Sequence, residues 1–270
     1  MPAGEDRTNL KAKLGRAARP LLGAFLGLPV PALVEVIGRS GFDFVILDGE
    51  HGTFSVESLQ GCLSGACAIK LPAIVRTPDG NPVYIQAALD AGAQGVQVPS
   101  VAEEAQAQLI VEASHFPPKG IRGFGSTTRA AGYGFTPRAQ VVRAAAEETL
   151  VIVQVETRKG VEHLDEILAV EGVDLVFLGT SDLSLDFGYA SPSDPAMMPL
   201  LRQVIATIRN AGKHCGVHLA DLKLARPMQE LGVSYLTAAP LAMIGPFLQG
   251  KVAEFEAMFA AGGGKRVGMA

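Results

Sequence analysis

Residues 150 to 185 read LVIVQVETRKGVEHLDEILAVEGVDLVFLGTSDLSL, and this stretch restricts the fold more than any other. Its two apolar runs, residues 151–155 and 175–178, are too short and too β-branched to stand as free helices. Between them Val161, Leu164, Ile167 and Leu168 recur at helical spacing. The unit therefore reads strand, helix, strand, with parallel pairing and a right-handed crossover expected. Each run ends in a small turn with one acid, Glu156 after the first and Asp182 after the second. Parallel strands bring both carboxylates to one end of a sheet, where two acids could hold a divalent cation. Either acid could instead pair with Arg76, Arg129 or Arg158.

The same alternation runs along the chain. Strand-like runs fall at residues 21–26, 44–47, 73–75, 95–98, 151–155, 175–178, 216–219 and 235–237, with helix-like segments at 31–40, 56–68, 82–91, 101–115, 159–170, 198–211, 222–231 and 244–260. Repeated alternation of this kind predicts an α/β fold, the closed parallel (β/α)8 TIM barrel. Glycines at Gly41, Gly92, Gly172, Gly212 and Gly232 stand where helices should end on a left-handed residue. Gly23 and Gly27 lack the G-x-G-x-x-G spacing that an open dinucleotide-binding sheet would want. A barrel of this kind takes roughly 250 residues, so the 270-residue chain is expected to be one domain over 1–270, with residues 1–19 an N-terminal arm and 261–270 a mobile Gly-rich tail. One segment breaks the rhythm. The Gly-rich loop from Phe116 to Thr136 is expected after strand four, at the active face or over a neighbouring subunit, closing a site or building an oligomer contact.

Composition narrows the class of partner. A net charge of −4 argues against a nucleic-acid surface, which needs clustered Lys and Arg, and favours a small molecule. No apolar run reaches the roughly 18 residues of a membrane span. The apolar stretch from Leu21 to Val30 is cut by Gly23, Gly27 and Pro29, with no cleavage-site pattern behind it. Cys62, Cys67 and Cys215 form no metal or disulfide framework, which suits a reducing cytoplasm.

In a barrel the chemistry sits at the C-terminal ends of the strands. Strand two ends in Asp48-Gly49-Glu50-His51-Gly52, where His51, oriented by Asp48, can act as a base near neutral pH. Strand three ends in Arg76, whose charge at the mouth needs an anionic partner: a substrate carboxylate or enolate, or structural pairing with Asp79 or Glu50. Strand five carries Gln154 and Glu156 on one face, and strand six ends in Gly179-Thr180-Ser181-Asp182. Two carboxylates completed by water and a chelating substrate suit Mg²⁺ or Mn²⁺. His115 and His163 read as surface residues, His214 as lying at the barrel's bottom, and His218 as either a packed core histidine or a ligand. Schiff-base chemistry needs a lysine at a strand's catalytic end, and Lys159 alone comes near one.

The strings FDFVILDGEHG, PAIVRTPDGNP, PPKGIRGFGSTTRA, VIVQVETRKGV and DLVFLGTSDLSLDFGY resemble the HpcH/HpaI family of metal-dependent pyruvate aldolases, in order from about Leu21 to Phe259. The resemblance implies a barrel of the phosphoenolpyruvate/pyruvate superfamily, a cytoplasmic homo-hexamer built as a trimer of dimers, with the C-terminal helix exchanged between subunits. It implies reversible cleavage of 4-hydroxy-2-oxo acids to pyruvate and an aldehyde, with Mg²⁺, or Mn²⁺ or Co²⁺, held by Glu156 and Asp182. Arg76 then matches the pyruvate-binding arginine, His51 with Asp48 the base, and Gln154 a glutamine beside the metal. The backbone N–H groups of Ser181 and Asp182 match the positions that hold the substrate carboxylate, and Leu219 falls where the aldehyde pocket is shaped. Thr180 and Ser181 depart from the Gly-Pro-Ala-Asp or Gly-Pro-Asn-Asp frequent in the family, a change that bears on substrate preference. Two other readings are a citryl- or malyl-thioester lyase, for which no basic coenzyme A groove is evident, and a non-catalytic binding barrel.

Overall fold

The computed structural model describes residues 9–260; residues 1–8 of the expected arm and the expected tail at 261–270 lie outside the described residues. Its parallel strands are β1 (Leu21–Leu26), β2 (Phe44–Asp48), β3 (Ala73–Arg76), β4 (Gly95–Val98), β5 (Leu150–Val155), β6 (Leu175–Leu178), β7 (His214–His218) and β8 (Tyr235–Ala238). They pair in sequence order and close, β8 returning to β1. The helices are α1 (Leu10–Leu14), α2 (Pro31–Arg39), α3 (Val56–Ala68), α4 (Pro82–Asp90), α5 (Glu104–Ser114), α6 (Arg138–Glu148), α7 (Arg158–Glu162), α8 (Leu164–Ala169), α9 (Thr180–Asp186), α10 (Met197–Asn210), α11 (Ala225–Leu231) and α12 (Pro240–Ala260). The chain divides into two compact units, the barrel through Ala238 and the residues from Ala239 on, which carry α12.

Local chemistry explains the punctuation. Ser55 and Ser58 form a reciprocal capping box on α3, and Asn81 caps α4 with Pro82 in its first turn. The five glycines expected to end helices all take positive φ, between 73° and 98°. The segment expected as one helix over residues 159–170 is two, α7 and α8, meeting at His163.

Alternation along each strand builds two cores. One set of side chains, among them Val45, Val75, Val153 and Val176, packs outward under the helices. The other fills the barrel's interior: Phe44, Ile46, Ile74, Ile152, Phe177 and Tyr235. Three glycines make room for this inner layer. A Cβ on Gly23 would meet the Phe44 ring at 2.0 Å, one on Gly95 would meet the Leu150 carbonyl oxygen at 2.2 Å, and one on Gly216 would meet Phe177 at 2.8 Å. Leu10 and Leu14 of α1 join the inner cluster from the strands' N-terminal end. There α1 is tied down by the Leu10 N–H donating to Gln94 Oε1 and by the Lys11–Asp174 ion pair at 2.8 Å.

The long loop does not start at the active face. It follows α5 rather than β4, so it starts at the N-terminal end of the barrel, opposite the strand ends that carry chemistry. Its residues pack there and along the flank. Phe116, Phe124 and Ala131 cluster with Val141 of α6, Arg122 pairs with Asp90 at the end of α4, and Arg129 donates to Ser64 of α3.

Candidate active site

Above the apolar interior the inward positions turn polar at the C-terminal strand ends. Asp48 and Arg76 are register partners on β2 and β3, and Arg76 is the partner of Gln97 on β4. Asp48, Arg76, Gln97, Gln154 and Glu156 are all buried. Buried polar groups persist only when paired, and the pairing explains how these are held.

Arg76 donates from Nε and Nη2 to the two Asp48 oxygens, at 2.8 and 2.7 Å, a two-point fork. Its Nη1 lies 2.8 Å from Glu50 Oε2, an ion pair without hydrogen-bond alignment. Its guanidinium carbon sits 4.9 Å from the Phe25 ring centre. Asp48 also accepts from the backbone N–H groups of Glu50 and His51. Burial would raise the Asp48 carboxyl, but the bonds and charge of Arg76 and these two N–H groups hold it below the ordinary range. Glu50 goes the other way: burial, with repulsion from Glu156 and Asp48, lifts it despite the charge of Arg76. The turn between Asp48 and His51 depends on its glycines. A Cβ on Gly49 would meet the Arg76 carbonyl oxygen at 2.7 Å, and one on Gly52 would meet that of Asp48 at 2.1 Å.

His51 departs from expectation in one respect. The Asp48 carboxylate is taken up by Arg76, so Asp48 holds the backbone of His51 and not its ring. The ring's Nε2 is 3.9 Å from Glu50 Oε2 and its side chain is 68% exposed, open to solvent at the mouth.

Glu156, just past β5, is fixed from two sides. Ser100 donates to Oε1 from its N–H at 2.8 Å and from its hydroxyl at 3.1 Å, and Gln154 Nε2 donates to Oε2. Ser100 adopts φ of +57°, a left-handed conformation uncommon outside glycine and found often at functional sites. On the far side, a Cβ on Gly179 would come within 2.2 Å of Glu156 Oε2, so glycine is required there. Asp182 does not sit in a turn, as expected, but in the first turn of α9. It and Ser181 are exposed, and the Asp182 carboxylate has no ion pair or hydrogen bond among the described residues. Arg129 and Arg158 are engaged elsewhere, with Ser64 and with Asp186, and Lys159 pairs with Glu103 outside the barrel.

Three positions read differently in three dimensions. Leu219 follows the last residue of β7, and its side chain is buried in the outer core under the helices, not at the mouth. Its neighbour His218 faces inward, with Nδ1 3.1 Å from Thr237 Oγ1 and its ring edge-on to Phe25; burial, then the charge of Arg76, lowers its pKa. His115, expected at the surface, is buried, with Nδ1 2.9 Å from the Val111 carbonyl oxygen. Gln97, Ser100 and Phe25 went unassigned in the sequence, and Glu50 entered only as a possible partner of Arg76, which it is. A polar residue at an inward position of the apolar run Gly95–Val98 was the available signal for Gln97.

The donor set fits a hard divalent cation: two oxygen donors, one rigidly held and one without a competing partner, at the ends of neighbouring strands. Among the described residues no three His, Cys, Asp or Glu side chains converge as a metal cage, so water and substrate oxygens would complete the sphere.

A closed parallel barrel with an arginine–carboxylate cluster at its C-terminal mouth defines the protein as a barrel enzyme. The HpcH/HpaI aldolase/citrate lyase family model matches residues 21–233; the chain belongs to this family and is a carbon–carbon lyase of the aldolase kind. It is 38% identical over 230 residues to the 4-hydroxy-2-oxo-heptane-1,7-dioate aldolase of Shigella flexneri, covering 84% of this chain and 85% of that one. It is 36% identical over 237 residues to the hydroxypyruvate/pyruvate aldolase of Agrobacterium fabrum, covering 87% and 88%. The fold matches the crystal structure of an HpcH/HpaI aldolase/citrate lyase family protein from Burkholderia cenocepacia with a TM-score of 0.86 at 29% identity, over 92% of this chain and 99% of that one.

Proposed function

We propose that this enzyme reversibly cleaves a 4-hydroxy-2-oxo acid into pyruvate and an aldehyde, with Glu156 and Asp182 holding a divalent cation, Mg²⁺ foremost and Mn²⁺ or Co²⁺ as alternatives. The observation that carries this reading is the buried Arg76, locked by Asp48 at the same mouth as a fixed Glu156 and an Asp182 that has no partner among the described residues. A cation bound there would supply Lewis acidity toward the carboxylate and 2-oxo group of the substrate. Arg76 shares the negative charge that develops on the enolate, a preorganised donor aimed where charge appears. Asp48 keeps that guanidinium in place and, through its two backbone bonds, fixes the turn carrying His51. His51, exposed at the mouth, takes the proton of the 4-hydroxyl group. Gln154 braces Glu156, and the N–H groups of Ser181 and Asp182 hold the substrate carboxylate. Leu219 can contribute to the aldehyde side only through its backbone, since its side chain is in the outer core.

The assembly follows from the same reading: a cytoplasmic homo-hexamer, a trimer of dimers that exchange α12. No helix among the described residues is long and apolar enough to cross a membrane.

Proton exchange at the pyruvate methyl group in deuterated water, followed by NMR, tests the chemistry without knowledge of the aldehyde. Exchange is expected with Mg²⁺ or Mn²⁺ and is expected to stop on chelation. Exchange that is absent, or indifferent to the chelator, overturns the proposal.

A further inference from the structure

The inner face of the barrel carries a chain of side-chain amides that ends on Glu156. Gln97 Nε2 donates to Gln154 Oε1, and Gln154 Nε2 donates to Glu156 Oε2. Exposure is 0% at Gln97, 2% at Gln154 and 4% at Glu156. The direction of the chain is set from its charged end. A carboxylate only accepts, so Gln154 must turn its NH₂ toward Glu156 and its carbonyl toward β4. Gln97 can then meet that carbonyl only with its own NH₂. Its Oε1 is left with no protein donor. A leucine at this position would fill the inward side of β4 with no such loose end. The amide at position 97 therefore has a task other than filling the core.

That task is visible in what its removal would do. Without a donor from β4, the Gln154 carbonyl would be buried and unsatisfied, and the side chain would gain by swinging toward the wet mouth. Glu156 Oε2 would then lose its only amide donor, keeping Ser100 on the other oxygen. We propose that Gln97 is a positioning residue. It orients the Gln154 carboxamide and, through it, aims the Glu156 carboxylate at the cation. The inference rests on Glu156 being a metal ligand, as proposed above.

The test is Mn²⁺ affinity of the full-length, metal-stripped protein, measured from the free-ion EPR signal, for wild type, Gln97→Leu, Gln97→Met and Glu156→Ala. Thermal melting of each metal-free variant reports the fold separately. Groups that orient metal ligands typically contribute about 10–100-fold to affinity, so Gln97→Leu is expected to bind Mn²⁺ at least about tenfold more weakly while melting close to wild type. Should the leucine variant unfold, Gln97→Met, which keeps length and flexibility, carries the same comparison. Wild-type affinity in the folded position-97 variants, with binding lost in Glu156→Ala, overturns the role of Gln97 and leaves the metal reading standing. Wild-type affinity in Glu156→Ala overturns the metal reading and this inference with it.

Discussion

Arg76 shows why residue type, and not charge alone, decides this site. Its Nε and Nη2 are fixed on Asp48, its Nη1 faces Glu50, and its plane lies over Phe25. A lysine would keep the charge but offer one point of attachment in place of a planar fork. Arg76→Lys is therefore expected to fold, with Asp48 still partly compensated, yet to lose on the order of 10²-fold in methyl exchange, the scale seen when one preorganised donor is removed. Exchange within a few-fold of wild type would return Arg76 to a structural role. His51 presents the opposite situation, an exposed ring whose backbone alone is anchored. The sequence placed both residues at the mouth correctly. Glu50 was foreseen as a partner of Arg76, but the fork to Asp48 was not legible, because Asp48 is adjacent to His51 along the chain while Arg76 is adjacent to it only across the β2–β3 register.

At the level of elements, all eight strands were legible, since each is an apolar run bounded by turn residues. Among the helices, α1 lies in the segment expected as an N-terminal arm, and α6 and α9 were not legible. In α6, RAQVVRAAAEE, only Val141 is buried, so its apolar period is faint. In α9, TSDLSLD, the polar residues read as a turn, although Leu183 and Ser184 are buried beneath it. The end of α5 carries one dependence on pH. Burial lowers the pKa of His115 below its ordinary value, against the opposing pull of the Val111 carbonyl. As pH falls through the unfolded value near 6.5, the unfolded chain takes up a proton that the folded chain refuses. Stability contributed by this residue is thus present above that value and is lost toward more acid pH, at no more than about 1.4 kcal/mol per pH unit for one proton. Urea unfolding at pH 7.5 and 5.5 should show a smaller difference for His115→Gln than for wild type; equal differences would rule the residue out as the source.

For the whole molecule, α12 raises the question of assembly. Met243, Phe247, Leu248, Val252, Phe255 and Met258 are all exposed on it, more apolar surface than a helix in water ordinarily keeps. A hexamer with exchanged helices would bury these side chains. Phe247→Asp with Phe255→Asp should lower the mass seen by light scattering while the barrel's circular dichroism persists. An unchanged mass would reject helix exchange as the basis of assembly.

The seal at the other end of the barrel has a different consequence. With Leu10 and Leu14 in one buried cluster with Phe44 and Tyr235, the N-terminal end of the interior is filled with side chains. Small molecules therefore meet the inward polar side chains from the C-terminal mouth, the face where barrel chemistry sits.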